Sequence, residues 1–243
     1  MEIELDDRWS IMGRPHGGYL LREAVRPALT EQHPDPLVVS AHFLRSPDPG
    51  AATVEVETLR VGRRVSQLRT RVVQRGETVL ETQLTTTALT PDAEPYWTRS
   101  APPALPADLD RAVPEPVPGL RVGHLEFVES WYAKGRSVLG SPHEGEVVAR
   151  LRMADGSTSA LDLLVLADAL QPTAGGLGVP GWFPTLELTV YVRAVPAEGW
   201  LVGRHRTQEL LDGWFDEDCE LWDSRGRLVC QARQLAGYRL CTP

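Results

Sequence analysis

The sequence contains two stretches in which the same short motifs recur in the same order. Phe43-Leu44-Arg45 corresponds to Tyr191-Val192-Arg193, and Gln74-Arg75-Gly76 corresponds to Ser224-Arg225-Gly226, both at a separation of roughly 150 residues. The separation drifts only by single residues, which indicates an internal duplication and therefore two related folding units. The motifs alone leave one alternative open, namely two unrelated domains that share common turn sequences.

Between the two units the chain is rich in proline. The sequence holds 20 prolines, and residues 91–118 contain eight of them. Proline has no N–H and a fixed φ, so a cluster of prolines interrupts both helices and strand ladders. We therefore predict an N-terminal domain over residues 1–90, a proline-rich linker over residues 91–118 and a C-terminal domain over residues 119–243.

Each unit is predicted to contain one helix and several antiparallel strands, because its apolar residues follow a helical period once and alternate elsewhere. In the first unit we expect a helix at residues 17–29 and strands at residues 37–44, 53–61, 64–74 and 78–89. In the second unit we expect two opening strands at residues 120–131 and 146–153, a helix at residues 160–170, and strands at residues 186–193, 200–207, 213–223 and 227–238.

The helix predicted at residues 160–170 is apolar on nearly every side. A helix of this kind is buried on most sides. One buried helix combined with a long antiparallel sheet that curves around it is the arrangement of the hotdog fold. We therefore predict an α+β protein with a double hotdog, in which two antiparallel sheets each wrap around a central helix.

The composition excludes several classes of protein. Lys+Arg 25 against Asp+Glu 33 gives a net charge of -8, the wrong sign for a protein that binds nucleic acid by neutralising phosphates. The acidic N-terminus lacks the pattern of a signal peptide, and no apolar stretch approaches the roughly 20 residues that cross a bilayer. The number of cysteines is odd, which favours reduced thiols over a set of disulfide bonds. The cysteines are Cys219, Cys230 and Cys241. We therefore expect a cytoplasmic protein without a nucleic-acid partner or a membrane span.

Asp168 is the strongest candidate for a functional residue. At helical spacing Leu161, Leu164 and Val165 share its face, so its carboxylate would lie among apolar side chains. Burial of an unpaired carboxylate is costly, so we expect Asp168 either to pair with a cation or to take part in function. The histidines are scattered without the spacing of metal ligands, and we expect neither a metal nor a cofactor.

Several motifs, in this order and spacing, resemble the acyl-CoA thioesterase II (TesB-like) family of double-hotdog thioesterases. The resemblance covers most of the chain outside residues 91–118. The motifs are Gly13-Arg14-Pro15-His16-Gly17-Gly18-Tyr19, Ala41-His42-Phe43-Leu44-Arg45 with Gly50, Gly62-Arg63-Arg64, Leu166-Ala167-Asp168-Ala169-Leu170-Gln171-Pro172 and Ala232-Arg233-Gln234-Leu235-Ala236-Gly237-Tyr238-Arg239.

The resemblance implies hydrolysis of an acyl thioester carried by coenzyme A or by an acyl carrier protein. It implies that Asp168, Thr185 and Gln234 together position and activate a water molecule. The neighbours of Gln234 on its strand face, Ala232 and Ala236 among them, are small and would let a helix approach closely. Thr185 fits less well, because strict alternation places it on the face opposite to the apolar residues of its strand.

The first unit departs from the implied pattern, since Leu37 and Leu84 occupy the positions that correspond to Thr185 and Gln234. We therefore expect one complete site, in the second unit. A second site remains an alternative, formed by residues around the start of the first helix. These residues are His16, Gly17, Gly18 and Glu23.

In that alternative, His16 and Glu23 form an acid/base pair, and the protein is a hydratase or dehydratase of enoyl or 3-hydroxyacyl thioesters. A third alternative is a protein that binds acyl-CoA without catalysis. The sequence also leaves the oligomeric state open, a homo-oligomer included.

Overall fold

The computed structural model describes residues 1–116, 118–136, 141–179 and 181–238. Two predicted features, Arg239 at the end of the last motif and the thiol of Cys241, lie outside the described residues.

The first half of the chain contains one helix and the strands around it. In chain order its elements are β1 (Glu2–Leu5), a 3-10 turn (Asp7–Trp9), β2 (Ser10–Ile11), β3 (Arg14–Pro15), α1 (Gly17–Val25), β4 (Asp35–Phe43), β5 (Gly50–Val61), β6 (Val65–Gln74) and β7 (Glu77–Thr87).

The second half repeats this plan with additional short elements. They are β8 (Leu109–Arg111), a 3-10 turn (Gly123–Glu126), β9 (Val128–Ala133), β10 (Glu146–Met153), α2 (Leu163–Leu166), α3 (Thr173–Gly176), β11 (Thr185–Val192), β12 (Leu201–Arg206), β13 (Leu210–Leu211), β14 (Trp214–Trp222) and β15 (Leu228–Gly237).

The two halves share one antiparallel sheet. Its strands run in the order β1-β5-β6-β7-β4-β11-β15-β14-β12-β10-β9-β8, with β13 paired to β14. β4 and β11 form the junction between the halves, where Val190 lies opposite Val39. The sheet curves around α1 and α2, whose apolar side chains are fully buried. The prediction of an α+β double hotdog is therefore confirmed, with the two predicted sheets joined into one through β4 and β11.

Both predicted helices are shorter in the structure. α1 ends at Val25, and a 3-10 turn over Arg26–Ala28 follows, because Pro27 cannot continue an α-helical ladder. In the second half only Leu163–Leu166 is α-helical. The next residues form tighter i to i−3 hydrogen bonds, such as the bond of 3.1 Å from the Asp168 N–H to the Val165 oxygen. Asp168 therefore follows the helix and is not part of it.

The helices α1 and α2 touch through their backbones at Gly18. A Cβ atom on Gly18 would lie 2.8 Å from the carbonyl oxygen of Leu164 and 3.0 Å from the Cα atom of Val165. Only glycine leaves room for such a close approach. This contact brings the start of α1 to the residues that follow α2.

The proline-rich segment contains a strand that the sequence analysis did not predict. β8 pairs with β9, and it lies in the proline-free stretch between Pro106 and Pro114. The segment also bonds to the second half, because Trp222 donates to Ser100 through its indole N–H at 2.9 Å. The segment therefore packs along the second half, and the domain boundaries at residues 90 and 118 stay a prediction.

Candidate active site

A cavity of about 960 Å³ lies between the two halves of the chain. Cavities of this size that are lined mainly by apolar side chains are typical of small-molecule sites. The polar residues that line it include His16, Asp168, Thr185, Glu217 and Gln234. Both the beginning of α1 and the end of the last strand therefore contribute to a single site.

The carboxylate of Asp168 is almost enclosed, with 13% of its side chain exposed. The backbone N–H of Gly18 donates to Oδ2 of Asp168 at 2.6 Å. Burial raises the pKa of Asp168 above its ordinary value, although the nearby His16 ring and the Gly18 N–H act in the opposite direction. Asp168 is therefore a carboxylate whose affinity for a proton is increased, as expected of a general base.

His16 connects the cap of α1 to Asp168. The backbone N–H of Tyr19 donates to Nδ1 of His16 at 3.2 Å, so Nδ1 accepts, and this network assigns the proton of the neutral ring to Nε2. Nε2 lies 2.9 Å from the backbone oxygen of Asp168 and 3.4 Å from its Oδ2. The Nε2–H group of His16 therefore points toward Asp168.

His124 stacks on His16, with 4.4 Å between the ring centroids. Its Nε2 lies 3.2 Å from the backbone oxygen of Ala169. Burial, assisted by the neighbouring His16 ring, lowers the pKa of His124 well below its ordinary value. The ring therefore stays uncharged at neutral pH and adds no positive charge next to Asp168.

Thr185 and Gln234 are hydrogen-bonded to each other, since the Thr185 hydroxyl donates to Oε1 of Gln234 at 2.8 Å. The alternation along β11 would point Thr185 away from the cavity. A register shift between Thr185 and Glu187, where β11 pairs with β15, moves Thr185 to the inner side. Gln234 lies on the buried face of β15, as its small neighbours indicated.

Glu217 is a site residue that the sequence analysis missed. Its side chain is 2% exposed, and it accepts hydrogen bonds from the backbone N–H and the hydroxyl of Thr173 at 2.7 and 2.8 Å. Nε2 of Gln234 also donates to it. The signal was present in the sequence, because Glu217 alternates with Phe215 and Cys219 on the buried face of β14.

The structure does not bring Glu23 to His16. Glu23 accepts from Arg22 at 3.1 Å and from Arg26 at 3.0 Å, in a surface depression that Trp9 also lines. Within the described residues, the acid that His16 contacts is Asp168. Gly17 and Gly18 do lie beside it, and a Cβ on Gly17 would come within 2.8 Å of Oδ2 of Asp168.

Asp168 forms no direct hydrogen bond to Thr185 or Gln234 among the described residues. The three residues line the same cavity, from different walls. That cavity therefore offers a bound molecule a carboxylate, a hydroxyl and an amide.

Two kinds of feature are absent from the described residues. No helix in these ranges combines the length and the apolar character that crossing a membrane requires. No group of three or more His, Cys, Asp or Glu side chains in the described part of the chain is arranged to hold a metal ion.

Two family models match almost the whole chain. The model of the acyl-CoA thioesterase N-terminal domain matches residues 5–89, and that of the acyl-CoA thioesterase C-terminal domain matches residues 90–238. An uncharacterized protein of Mycobacterium tuberculosis is 32% identical over 270 residues, which cover 97% of this chain and 89% of that protein.

Solved structures show the same similarity. A candidate thioesterase II from Thermobifida fusca is 34% identical, with a TM-score of 0.88 over 98% of this chain and 91% of that chain. An acyl-CoA thioesterase II from Mycobacterium marinum has a TM-score of 0.67 at 18% identity, over 93% of this chain and 90% of that chain. The second likeness concerns the fold alone. The resemblance seen in the sequence motifs is thus confirmed.

Proposed function

The chain belongs to the acyl-CoA thioesterase family, and we propose that it hydrolyses an acyl-CoA thioester to a free carboxylic acid and the thiol of coenzyme A. One observation carries the proposal. The carboxylate of Asp168 and the hydrogen-bonded pair Thr185–Gln234 line one cavity, which has room for a water molecule and an acyl thioester.

In the proposed reaction, ionised Asp168 accepts a proton from a water molecule held between it and Thr185. The oxygen of that water adds to the thioester carbonyl carbon and forms a tetrahedral intermediate. The intermediate then expels the thiolate of coenzyme A, which takes the proton from Asp168. The carboxylate is thereby restored, and the products are an acid and a thiol.

The negative charge on the carbonyl oxygen needs a donor, and we assign this role to the N–H of Gly17. Gly17 lines the cavity, and its N–H is in the first turn of α1, where backbone N–H groups have no helical acceptor. Among the described residues it has no other hydrogen-bond partner. Such a donor typically contributes about 10²- to 10³-fold in rate.

The test is a panel of acyl-CoA substrates from acetyl to palmitoyl, with thiol release followed by a chromogenic thiol reagent. We expect turnover to be highest for a defined range of chain lengths and to disappear in Asp168→Asn. Binding of these substrates without turnover would instead favour a protein that only binds acyl-CoA. An acyl carrier protein loaded with the best acyl group then shows which carrier is preferred.

One observation favours a second candidate, a hydratase of enoyl thioesters. His16 Nε2 lies 3.4 Å from Oδ2 of Asp168, so the two residues form an acid/base pair across the halves. Addition of water to a double bond needs such a pair, and it releases no thiol. Loss of enoyl-CoA absorbance without thiol release would support this candidate, and thiol release without loss of the double bond would exclude it.

We propose that the reaction takes place in the cytoplasm. Cys219 and Cys230 are free and buried, and the raised pKa that burial gives to each thiol keeps both protonated. Unpaired thiols support a reducing compartment.

A further inference from the structure

We propose that Glu217 is a positioning residue that fixes the direction of the hydrogen bonds running through Gln234 to Thr185. This inference rests on the proposed thioester hydrolysis. It adds a buried acid to the site and assigns it a role that is distinct from that of Asp168.

Glu217 accepts three hydrogen bonds. Oε1 receives the N–H of Thr173 at 2.7 Å and its hydroxyl at 2.8 Å, while Oε2 receives Nε2 of Gln234. Because a backbone N–H can only donate, Oε1 must be an acceptor. The side chain is 2% exposed, and both of its oxygens already accept hydrogen bonds from the protein. The network therefore fits a carboxylate that accepts at both oxygens.

A carboxylate at this position determines the orientation of the Gln234 amide. The NH₂ group of Gln234 must face Glu217, so Oε1 must face Thr185. The hydroxyl of Thr185 then donates to Oε1, at 2.8 Å, and its lone pairs are left to face the cavity. Glu217 thus makes Thr185 an acceptor toward the substrate.

This direction matters for the attacking water. A water molecule that donates one proton to Thr185 and the other to Asp168 keeps a lone pair free for the carbonyl carbon. If Gln234 were turned over, Thr185 would donate outward to one of the two lone pairs of the water, and the second proton of the water would lose its acceptor. The negative charge of Glu217 disfavours the turned orientation, because it would place the amide oxygen of Gln234 against a carboxylate.

Glu217 also lies near His205, with 3.6 Å between Oε2 and the ring Nδ1. Nε2 of His205 lies 3.1 Å from the backbone oxygen of Ala167. These contacts offer a competing explanation, in which Glu217 only supports the packing beside Asp168. The experiment must therefore separate an effect on Thr185 from a general loss of structure.

The first test is a double-mutant cycle with Glu217→Gln and Thr185→Val. In the wild-type background, Glu217→Gln is expected to lower kcat at least about tenfold with little change in KM, because small displacements of a reacting group can cost about 10²-fold. In the Thr185→Val background the same change should cost little more, since no hydroxyl remains to be oriented. Equal losses in both backgrounds, or no loss in either, would overturn the proposal.

A second comparison uses Glu217→Asp, which keeps the charge but is shorter. If charge fixes the amide, Glu217→Asp retains more activity than the isosteric Glu217→Gln. If Glu217 only fills space, the order is reversed, and the proposal is wrong. The matched control is Glu220→Gln, on the outer face of the same strand beside Arg204, which should leave kcat unchanged.

A measurement independent of turnover keeps the proposal testable if the wild-type protein releases no thiol. In ¹⁵N-labelled full-length protein, the side-chain NH₂ protons of Gln234, assigned by their loss in Gln234→Leu, should be shifted downfield by the carboxylate. Glu217→Gln should remove this shift while the backbone spectrum is preserved. An unchanged Gln234 signal in that variant would refute the role of Glu217, whereas inactive wild-type protein with the expected signal would refute only the thioesterase.

Discussion

The backbone N–H of Gly18 donates to Oδ2 of Asp168 at 2.6 Å, although 150 residues of chain separate them. The donor belongs to the first turn of α1, and the acceptor lies just beyond α2. The acid of the second half is therefore held by the helix of the first half. The orientation of Asp168 depends on both repeats, even though the second repeat alone supplies Thr185 and Gln234.

Asp168→Asn should abolish thioester hydrolysis and stabilise the fold. We expect a loss of at least about 10²-fold in kcat, the usual contribution of a general base. Burial raises the pKa of Asp168, so the native state binds a proton more tightly than the unfolded state, and stability falls as pH rises through the interval between the two pKa values. Above that interval the folded protein carries the full cost of burying the ionised carboxylate. Chemical denaturation should therefore give a free energy of unfolding no lower than that of wild type.

Asp162→Asn is the matched control for that experiment. Asp162 is also buried and precedes α2, where it accepts from the Ser159 hydroxyl at 2.6 Å. An asparagine oxygen can still accept this bond, and Asp162 does not line the cavity. Near wild-type turnover is expected. A loss of activity as large as in Asp168→Asn would show that the effect comes from the helical segment and not from the base.

The pH dependence of kcat/KM should show an acid limb above the ordinary aspartate value of 3.8. Hydrolysis needs the ionised carboxylate, and burial raises the pKa of Asp168, so activity is lost as pH falls through that raised value. His16→Asn should move the limb to still higher pH, since His16 lowers the pKa of Asp168. Asparagine can keep the helix cap but does not reach the acid. An unmoved limb would contradict the coupling.

Gly18→Ala should destabilise the protein, although alanine is favoured over glycine in helices by about 1 kcal/mol. The added Cβ would lie 2.8 Å from the backbone oxygen of Leu164, which cannot move without separating α1 from α2. Overpacking of this kind costs about 1–3 kcal/mol. Denaturant titration of wild type and Gly18→Ala shows directly whether the free energy of unfolding falls or rises.

Gly17→Ala is the informative companion variant. Its Cβ would meet Oδ2 of Asp168, a movable side-chain atom, at 2.8 Å. We therefore expect a smaller loss of stability and a larger loss of kcat than in Gly18→Ala. Should both variants lose stability alike while kcat is unaffected, the assignment of Gly17 to the reaction centre would be wrong.

Arg227→Met should detach the proline-rich segment from the second half. Arg227 and Asp223 form an ion pair of 2.7 Å with side chains 6% and 0% exposed, and Arg227 also donates to the backbone oxygen of Ala93 at 2.9 Å. Removing one partner of a buried pair typically costs about 3–5 kcal/mol. We expect a lower free energy of unfolding and faster proteolysis within residues 91–108.

Arg225→Met provides the comparison. Its ion pair with Asp92, also 2.7 Å, is exposed, and such pairs contribute at most about 1 kcal/mol. Proteolysis at the wild-type rate is expected. Equal effects of the two variants would mean that the segment is held by charge in general and not by the buried pair.

The repeat and the alternation of apolar residues were enough to predict the double hotdog, because both report which faces must be buried. They did not determine where backbone ladders end. The helix predicted at residues 160–170 is apolar on nearly every side, yet its last residues form tighter 3-10 bonds, and hydropathy does not distinguish the two ladders. The proline-rich segment was likewise predicted without its strand at Leu109–Arg111.

The candidate site shows a second limit. Alternation predicts the direction of Gln234 correctly, but it fails for Thr185, because a bulge depends on pairing with another strand that the local sequence does not reveal. Glu217 could have been found from its position between Phe215 and Cys219. The contact of His16 with Asp168 could not, since it depends on how the two repeats pack together.

The pairing of β4 with β11 has a consequence for how this protein can change over time. Had the repeats been separate chains, this junction would be a subunit interface whose occupancy depends on concentration. In a single chain, the covalent connection gives each repeat an effective concentration of about the millimolar range near the other. The site between the repeats can therefore form at any concentration of the protein. Because one chain carries both repeats, the two are also inherited together. A substitution near Gly18 alters the acid supplied by the other copy, so neither copy is free to diverge by itself.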